Sequence, residues 1–164
     1  MKSITCTAPS KTFNIAGLHN AYCIIHDKSM MEKYRKELKL LDLNRNNTFS
    51  TVIAPVLYNN GKEWLDELLN YLKANMDFVC NYVSENFEKI KTGEIEGTYL
   101  MLLDCRELEL NSDELDNLFV DAGIALDSGH WFGENGKGFM RLNLACPRSM
   151  LETALEKLKE AIEK

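Results

Sequence analysis

The chain has 164 residues, 45% of them hydrophobic, and a net charge of −6. This size and apolar content suffice for a buried core, arranged as one domain or as one domain with an appendage. The acidic balance argues against nucleic acid and anionic membranes as partners, and the charged, hydroxyl-rich N-terminal stretch argues against a signal peptide or a spanning helix, so we expect a cytoplasmic protein.

The first part of the sequence predicts two strands and a helix. Ile4–Thr7 is a strand candidate, and the small, aromatic and β-branched residues of segment 15–25 predict a second extended segment. Asp27 or Ser29 can cap the helix that follows, and residues 44–47 form a polar break. The apolar face of this helix holds Met30, Met31, Tyr34 and Leu38.

A long apolar stripe at helical spacing follows Pro55. It predicts a helix within residues 61–92 that crosses between two domains, with the stripe packed in the core or at a subunit interface. The stretch Gly93–Gly97 ends this pattern. The stripe consists of Leu65, Leu68, Leu69, Leu72, Met76, Val79, Cys80, Val83, Phe87 and Ile90.

The remaining sequence predicts a β-α-β-β-α domain with its helices on one side of a small sheet. The strand candidates are residues 98–104, 124–127 and 139–145. Ser112 opens a helix that stops at Gly123.

The last helix carries the strongest local signal. Ser149 and Glu152 form a capping-box pattern just after Pro147. Its apolar face holds Leu151, Leu155, Leu158 and Ile162.

Residues 129–138 are rich in glycine but do not match a phosphate-binding loop. Such a loop lies between a strand and a helix, whereas this stretch lies between two predicted strands and contains Asn135-Gly136, a hairpin-turn signal. We expect a hairpin loop in which Trp131 and Phe132 shape the entrance to a substrate site.

The chain has five cysteines, an odd number without a C-x-x-C pair. This pattern predicts no disulfide framework, and we expect most of the thiols to be reduced and buried. We also expect no metal site, because a structural zinc site needs four ligands and no second ligand pair accompanies Cys23 and His26.

Lys11 lies in an apolar segment, 5–18, that is crowded with small and hydroxyl residues. In a desolvated pocket the ammonium form is disfavoured, so the pKa falls and the neutral amine can form a Schiff base with a carbonyl. Lys11 is therefore a candidate nucleophile.

Alternation along residues 139–145 places Arg141 and Asn143 on one face and Met140 and Leu142 on the other. The apolar face must be buried, so Arg141 projects from an anchored strand and can bind a carboxylate with two hydrogen bonds. An arginine on an edge strand in an ordinary salt bridge fits the pattern about equally well.

Four segments resemble, in the same order, those of the cystathionine β-lyase-like carbon–sulfur lyases, a branch of the pyridoxal-phosphate enzymes that share the aspartate aminotransferase fold. The first segment is A-P-S-K-T-F-N around Lys11. The others are Y-x-x-G-x-x-W-L-D at Tyr58–Asp66, G-T-Y-L at Gly97–Leu100, and G-F-x-R-L-N-x-A-x-P-R-S at Gly138–Ser149. The resemblance covers essentially the whole chain.

The resemblance implies roles for five residues. Lys11 corresponds to the cofactor lysine, Ser10 contacts the cofactor phosphate, and Thr7 is a weaker candidate for the same contact. Arg141 corresponds to the arginine that binds the α-carboxylate of the amino-acid substrate, with Asn143 as a second substrate-binding residue.

The resemblance also implies an α/β fold, with an α+β C-terminal small domain preceded by a remnant of the large cofactor domain. We expect residues 1–60 to be that remnant, residues 61–92 the interdomain helix and residues 93–164 the small domain. In that family a longer N-terminal portion precedes the lysine segment. We therefore expect the chain to be the C-terminal part of such an enzyme and to be inactive alone.

The implied function is pyridoxal-phosphate-dependent β-elimination from cystathionine or another cysteine derivative, which gives pyruvate, ammonia and a thiol. Two alternatives remain open. The enzyme can be an aminotransferase that uses the same residues, or the chain can be a non-catalytic fragment that acts as a folded or assembly domain. We expect a homo-oligomer, with no nucleic-acid or membrane partner.

Overall fold

The computed structural model describes residues 2–93 and 95–163. Residues 1, 94 and 164, which belong to the predicted segments 1–60 and 93–164, lie outside the described residues. The chain divides into two compact units, Met1–Leu68 and Leu69–Lys164.

The first unit begins with a hairpin of two antiparallel strands, β1 (Ile4–Thr7) and β2 (Tyr22–Ile25). Ile4 pairs with Ile25 at one end and Thr7 with Tyr22 at the other. The first predicted strand is confirmed. The second is shorter than the predicted segment, because Ala16–Leu18 forms a 3₁₀ turn that His19 ends in a left-handed conformation.

Two helices follow in the first unit, α1 (Lys28–Leu40) and α2 (Thr48–Asn60). The carboxylate of Asp27 accepts a hydrogen bond from the Met30 amide at 2.9 Å, so Asp27 caps α1 and the alternative cap Ser29 lies inside the helix. The sequence analysis missed α2, which Asn47 caps at the end of the predicted polar break.

The long helix α3 spans Lys62–Asn86, and the boundary between the two units falls within it. The prediction extended this helix too far. Phe87 and Ile90 are buried but lie beyond its end, because the chain leaves the helix while it still packs in the core. A periodic apolar stripe does not distinguish residues inside a helix from buried residues that follow its end.

The second unit contains a four-stranded antiparallel sheet in the order β3-β4-β6-β5. Its strands are β3 (Lys91–Thr92), β4 (Leu100–Asp104), β5 (Asp127–Ser128) and β6 (Phe139–Asn143). Two helices, α4 (Ser112–Asp121) and α5 (Arg148–Ile162), complete the unit. The observed order β-β-α-β-β-α adds the short strand β3 to the predicted order. The predicted strand 124–127 is shifted, because β5 shares only Asp127 with it.

One face of this sheet shares a hydrophobic core with the helices of the second unit. The sheet contributes residues at alternate positions of β4 and β6, as expected for a half-buried sheet. The core includes Val79, Val83, Met101, Leu103, Leu115, Phe119, Met140, Leu142, Leu151, Leu155 and Leu158.

Helix α4 begins at Ser112, as predicted, and ends just before Gly123, whose φ is positive. The residue that caps it is Asn111, in a capping box with Glu114. The predicted cap of α5 is wrong. In α5 the cap position is Pro147, without a side-chain hydrogen bond, and Ser149 lies inside the first turn. An asparagine competes well with serine for a cap position, and only the backbone conformation decides between adjacent candidates.

Within residues 2–93 and 95–163, every helix is too short or too polar to cross a membrane.

Candidate functional site

Lys11 lies in the loop that connects β1 to β2. The Phe13 amide donates to the Pro9 carbonyl and the Ile15 amide to the Ser10 carbonyl, both at 3.0 Å, so a tight turn presents the lysine. The Lys11 side chain is exposed. The described first unit therefore does not provide the desolvated pocket that the sequence argument expects around this amine.

The aromatic residue two positions after Lys11 anchors the loop. Only 7% of Phe13 is exposed, and its ring meets Tyr58 edge-on at 5.7 Å and Trp64 at 6.4 Å between centroids. Phe13 belongs to the lysine segment, whereas Tyr58 and Trp64 belong to the second recognised segment. The two segments thus pack together, a contact that the sequence analysis missed because it treated each segment separately.

Gly61, between these two aromatics, permits the close packing. A Cβ atom at Gly61 would lie 2.5 Å from the Leu57 carbonyl oxygen and 2.9 Å from Cε1 of Phe13. Real Cβ atoms do not approach so closely, so the absence of a side chain at Gly61 lets Phe13 seat against the end of α2.

The two hydroxyl candidates both precede Lys11 in the chain. Thr7 ends β1 and is exposed, whereas Ser10 is half-buried. The hydroxyls of Tyr22 on β2 and Tyr58 on α2 are 3.2 Å apart, and this hydrogen bond raises the pKa of Tyr58. The first unit therefore brings an amine and two hydroxyls into one short segment.

Arg141 lies in the second unit on β6, which has β4 on one side and β5 on the other. Its neighbours Met140 and Leu142 are buried, which confirms the predicted alternation. Because β6 is an inner strand, the edge-strand part of the alternative for Arg141 is wrong, whereas its salt bridge is present, with Asp127 as the partner.

The guanidinium of Arg141 contacts the side chain directly opposite on β5. Nε donates to Oδ2 of Asp127 at 3.0 Å, and Nη2 donates to the same oxygen. The Phe132 ring lies 4.7 Å from the guanidinium carbon, and 30% of the Arg141 side chain is exposed. The sequence analysis did not identify Asp127 as this partner, although a hairpin between β5 and β6 makes such a cross-strand pair possible.

A cavity of about 400 Å³ lies beside Arg141 on the outer face of the sheet. Its walls include Leu100, Leu102, Phe132 and Phe139, with Arg141 as the cationic group. Apolar walls with one guanidinium suit a small molecule that has a carboxylate and a less polar side chain. The predicted hairpin loop is confirmed, and it contributes Phe132 to this cavity.

Asn143 ends β6 and is exposed. Its Oδ1 atom accepts a hydrogen bond from the Ala145 amide at 2.8 Å, so one side of the amide shapes the turn after the strand.

A buried amide on α3 fixes the chain that follows β6. Asn75 is completely buried, and its Nδ2 donates to the carbonyls of Leu144 at 2.9 Å and Cys146 at 3.0 Å. Its Oδ1 accepts from Nε of Arg148 at 2.9 Å. Asn75 therefore positions the end of the strand that carries Arg141. The sequence analysis missed this role because it considered only the apolar residues of α3.

Known proteins similar to this chain carry related functions in their names. The chain is 36% identical over 161 residues to a protein named cystathionine beta-lyase PatB of Bacillus subtilis, a match that covers 98% of this chain and 42% of that protein. It superposes on a pyridoxal-phosphate-bound protein from Clostridium difficile 630 with a TM-score of 0.93 and 46% identity, over 97% of this chain and 41% of that one.

A second solved structure is also similar to nearly the whole chain. Cystalysin from Treponema denticola, which contains pyridoxal 5′-phosphate, gives a TM-score of 0.89 and 34% identity, over 98% of this chain and 41% of that one. These likenesses confirm the predicted aminotransferase-like fold. The chain spans about 40% of the length of these relatives.

The family model described as aminotransferase class I and II matches residues 1–158. This match covers nearly the whole chain and agrees with the fold of the solved structures. The chain therefore belongs to the class I and II aminotransferase family.

Proposed function

We propose that this chain is part of a pyridoxal-phosphate-dependent carbon–sulfur β-lyase, and we call the longer polypeptide that would contain it the full enzyme. The packing of the lysine segment carries this proposal, because Phe13, Tyr58 and Trp64 hold the turn that presents Lys11. The name of the similar B. subtilis protein supports the lyase assignment. Cystathionine or another cysteine derivative is the proposed substrate, and pyruvate, ammonia and a thiol are the products.

The residues of the Lys11 turn fit one end of the cofactor. An amine that follows the hydroxyls of Thr7 and Ser10 in the chain matches an aldehyde and a phosphate group. When bound, pyridoxal phosphate supplies an electron-withdrawing ring that makes the Cα–H bond of an amino acid acidic. Lys11 would hold the cofactor and move the Cα proton through its Nζ atom. Because Lys11 is exposed here, we propose that further residues of the full enzyme enclose the site.

The proposed substrate site uses the second unit. Arg141 would bind the substrate α-carboxylate, and Asn143 would contribute a second polar contact. Support comes from the observed geometry, in which Arg141 already binds a carboxylate, that of Asp127, next to an apolar cavity. A charge-assisted contact of this kind orients the substrate for proton removal.

An aminotransferase is the alternative function, and the name of the family model favours it. The same residues would serve: Lys11 would hold the cofactor and move the proton through Nζ, and Arg141 would bind the substrate carboxylate. A non-catalytic assembly role is the other alternative for the isolated chain, which we propose to be inactive alone.

We also propose the three-part organisation 1–60, 61–92 and 93–164, and a homo-oligomer in the cytoplasm. All five cysteines are thiols, as is usual in a reducing compartment. The first unit buries few apolar side chains, Phe13 and Ile25 among them, and exposed apolar surface supports association with a second copy.

Replacement of Arg141 by alanine in the full enzyme tests the substrate site. We expect kcat/KM for pyruvate release from cystathionine to fall by an amount equivalent to about 2 to 5 kcal/mol, with the fold intact. Arg106→Ala is the matched control, because Arg106 also pairs with a strand carboxylate, that of Asp104, and should leave kcat/KM unchanged. An unchanged kcat/KM in Arg141→Ala would refute the assignment, and unfolding would assign Arg141 a structural salt bridge instead.

A further inference from the structure

Two thiols face each other across the hairpin that carries the Lys11 loop. Cys6 on β1 is the direct partner of Cys23 on β2, and their Sγ atoms are 3.5 Å apart. Directly opposed residues of antiparallel strands have Cα atoms about 4.5 to 5.5 Å apart, which lies within the range that a disulfide requires. Rotation of the two side chains can therefore bring the sulfurs to bonding distance with little backbone movement.

The surroundings of the pair distinguish its two sulfurs. The hydroxyl of Tyr34 donates to Sγ of Cys23 at 3.5 Å, and the hydrogen bond to Cys23 raises the pKa of Cys6. Either sulfur can be the donor in the contact between the two thiols. A hydrogen bond from the Tyr34 hydroxyl would stabilise the negative charge that develops on the Cys23 sulfur as it reacts with an oxidant.

Cys6 is exposed, and Cys23 is half-buried, as are Cys80 and Cys146. Cys105 is buried, and its burial raises its pKa to about 12. The thiols of Cys105 and Cys146 donate to main-chain carbonyls at 3.8 Å and 3.7 Å, so their nearest acceptors are not sulfur atoms.

We propose that Cys6 and Cys23 form an oxidation site that a hydroperoxide converts into a cross-strand disulfide. The Cys23 thiol gives up its proton and its sulfur attacks the peroxide, the O–O bond breaks, and the sulfur gains a hydroxyl group while the other oxygen takes up that proton and leaves as water or alcohol. The Cys6 sulfur then displaces that hydroxyl group, which leaves as water when it takes the Cys6 proton. Two thiols are oxidised and one peroxide is reduced.

The disulfide would close the base of the loop between β1 and β2. That loop contains Lys11, so oxidation would restrict the segment that we propose to hold the cofactor. A cross-link of this kind stabilises a fold mainly by restricting the unfolded chain. The oxidation site rests on the thiol geometry and stands independently of the proposed function.

Peroxide treatment of the reduced 164-residue chain tests the inference. After alkylation and non-reducing peptide mapping, we expect a peptide pair linked through Cys6 and Cys23 within one molecule. Cys105 should be alkylated only after denaturation. We also expect the thermal midpoint to rise by several degrees on oxidation, and dithiothreitol to reverse this rise.

Single substitutions supply the controls. Cys6→Ser and Cys23→Ser should abolish the linked peptides and the thermal shift, whereas Cys146→Ser should behave as the unsubstituted chain. Tyr34→Phe should slow disulfide formation several-fold without lowering its final yield, since the pair remains in place. Linkage only between separate chains, or a Cys6–Cys23 pair that stays reduced while Cys146 is oxidised, would overturn the proposal. An unchanged rate in Tyr34→Phe would overturn the role of Tyr34.

Discussion

At the scale of single residues, Asn75 determines how firmly the strand bearing Arg141 is held. Its side chain satisfies two carbonyls and one guanidinium inside the second unit. A buried carbonyl that loses its donor costs more free energy than the net gain from a typical hydrogen bond. The position of Arg141 thus depends on Asn75, to which we assign no contact with the cofactor or the substrate.

Replacement of Asn75 by alanine should lower the free energy of unfolding by about 1 to 3 kcal/mol, because the carbonyls of Leu144 and Cys146 would lose their buried donor. Urea unfolding of the purified chain measures this change. Asn117→Ala serves as the control, since Asn117 is exposed on α4 and its loss should cost less than about 0.5 kcal/mol. Equal stability of the two variants would show that the Asn75 network does not hold the strand end.

Asp104 gives the second unit a dependence on pH. The hydrogen bonds from Arg106 hold the pKa of Asp104 below its ordinary value. A lowered folded-state pKa means that this stabilisation is complete above the unfolded value of about 3.9, and is lost as the pH falls through the folded value.

Asp104→Asn should therefore reduce stability at pH 7 and make stability less sensitive to acid. Arg106 is largely exposed, so we expect a difference of at most about 1 kcal/mol. Urea midpoints of the two proteins at pH 7 and at about pH 3 measure it, and the gap between them should narrow at the lower pH. If the difference between the two urea midpoints grew on acidification, the ion pair between Arg106 and Asp104 would not stabilise the fold.

At the scale of secondary-structure elements, the junction between α2 and α3 supports the Lys11 loop. Gly61 follows the last residue of α2, and Phe13 packs directly against it. Gly61 has an ordinary φ of −85°, so space and not backbone conformation excludes a side chain here. Any group added at Gly61 must push Phe13, and with it the lysine turn.

Gly61→Ala should destabilise the chain by about 1 to 3 kcal/mol, as expected when a methyl group is forced into a filled space. Gly17→Ala is the matched control in the same unit, because a Cβ there would have no atom within 4 Å. Denaturant unfolding in a Trp131→Phe background, in which Trp64 gives the tryptophan fluorescence, reports on the local packing. If Gly17→Ala were the more damaging change, the packing of Phe13 against Gly61 would not explain why glycine occupies this position.

Local sequence patterns predict some of the secondary-structure elements and miss others. The strand β1, the helices α1, α4 and α5, and the alternation of β6 follow from apolar spacing, although Ser149 does not cap α5. Helix α2 escaped prediction because its apolar residues form no clear stripe and Pro55 lies within it. The partner of Arg141 and the role of Asn75 depend on strand pairing and on contacts between distant segments, which local patterns do not encode.

At the scale of the whole molecule, the two units differ in how much apolar surface they bury. Nearly all of the buried hydrophobic side chains belong to the second unit, which agrees with a region that folds by itself. The first unit leaves many apolar side chains exposed, as expected if further chain or a second copy packs there. They include Ile4, Ile24, Leu40, Leu41, Leu43, Phe49, Val52 and Val56.

The attachment point of the cofactor tests the central claim most directly. The full enzyme would be loaded with pyridoxal phosphate, reduced with borohydride, digested and mapped by mass spectrometry, with Lys11→Ala as the control. We predict that the pyridoxyl group is on the peptide that contains Lys11 and is absent from the variant. A stoichiometric adduct on any other lysine, or an undiminished adduct in Lys11→Ala, would contradict the assignment of Lys11 and the function proposed from it.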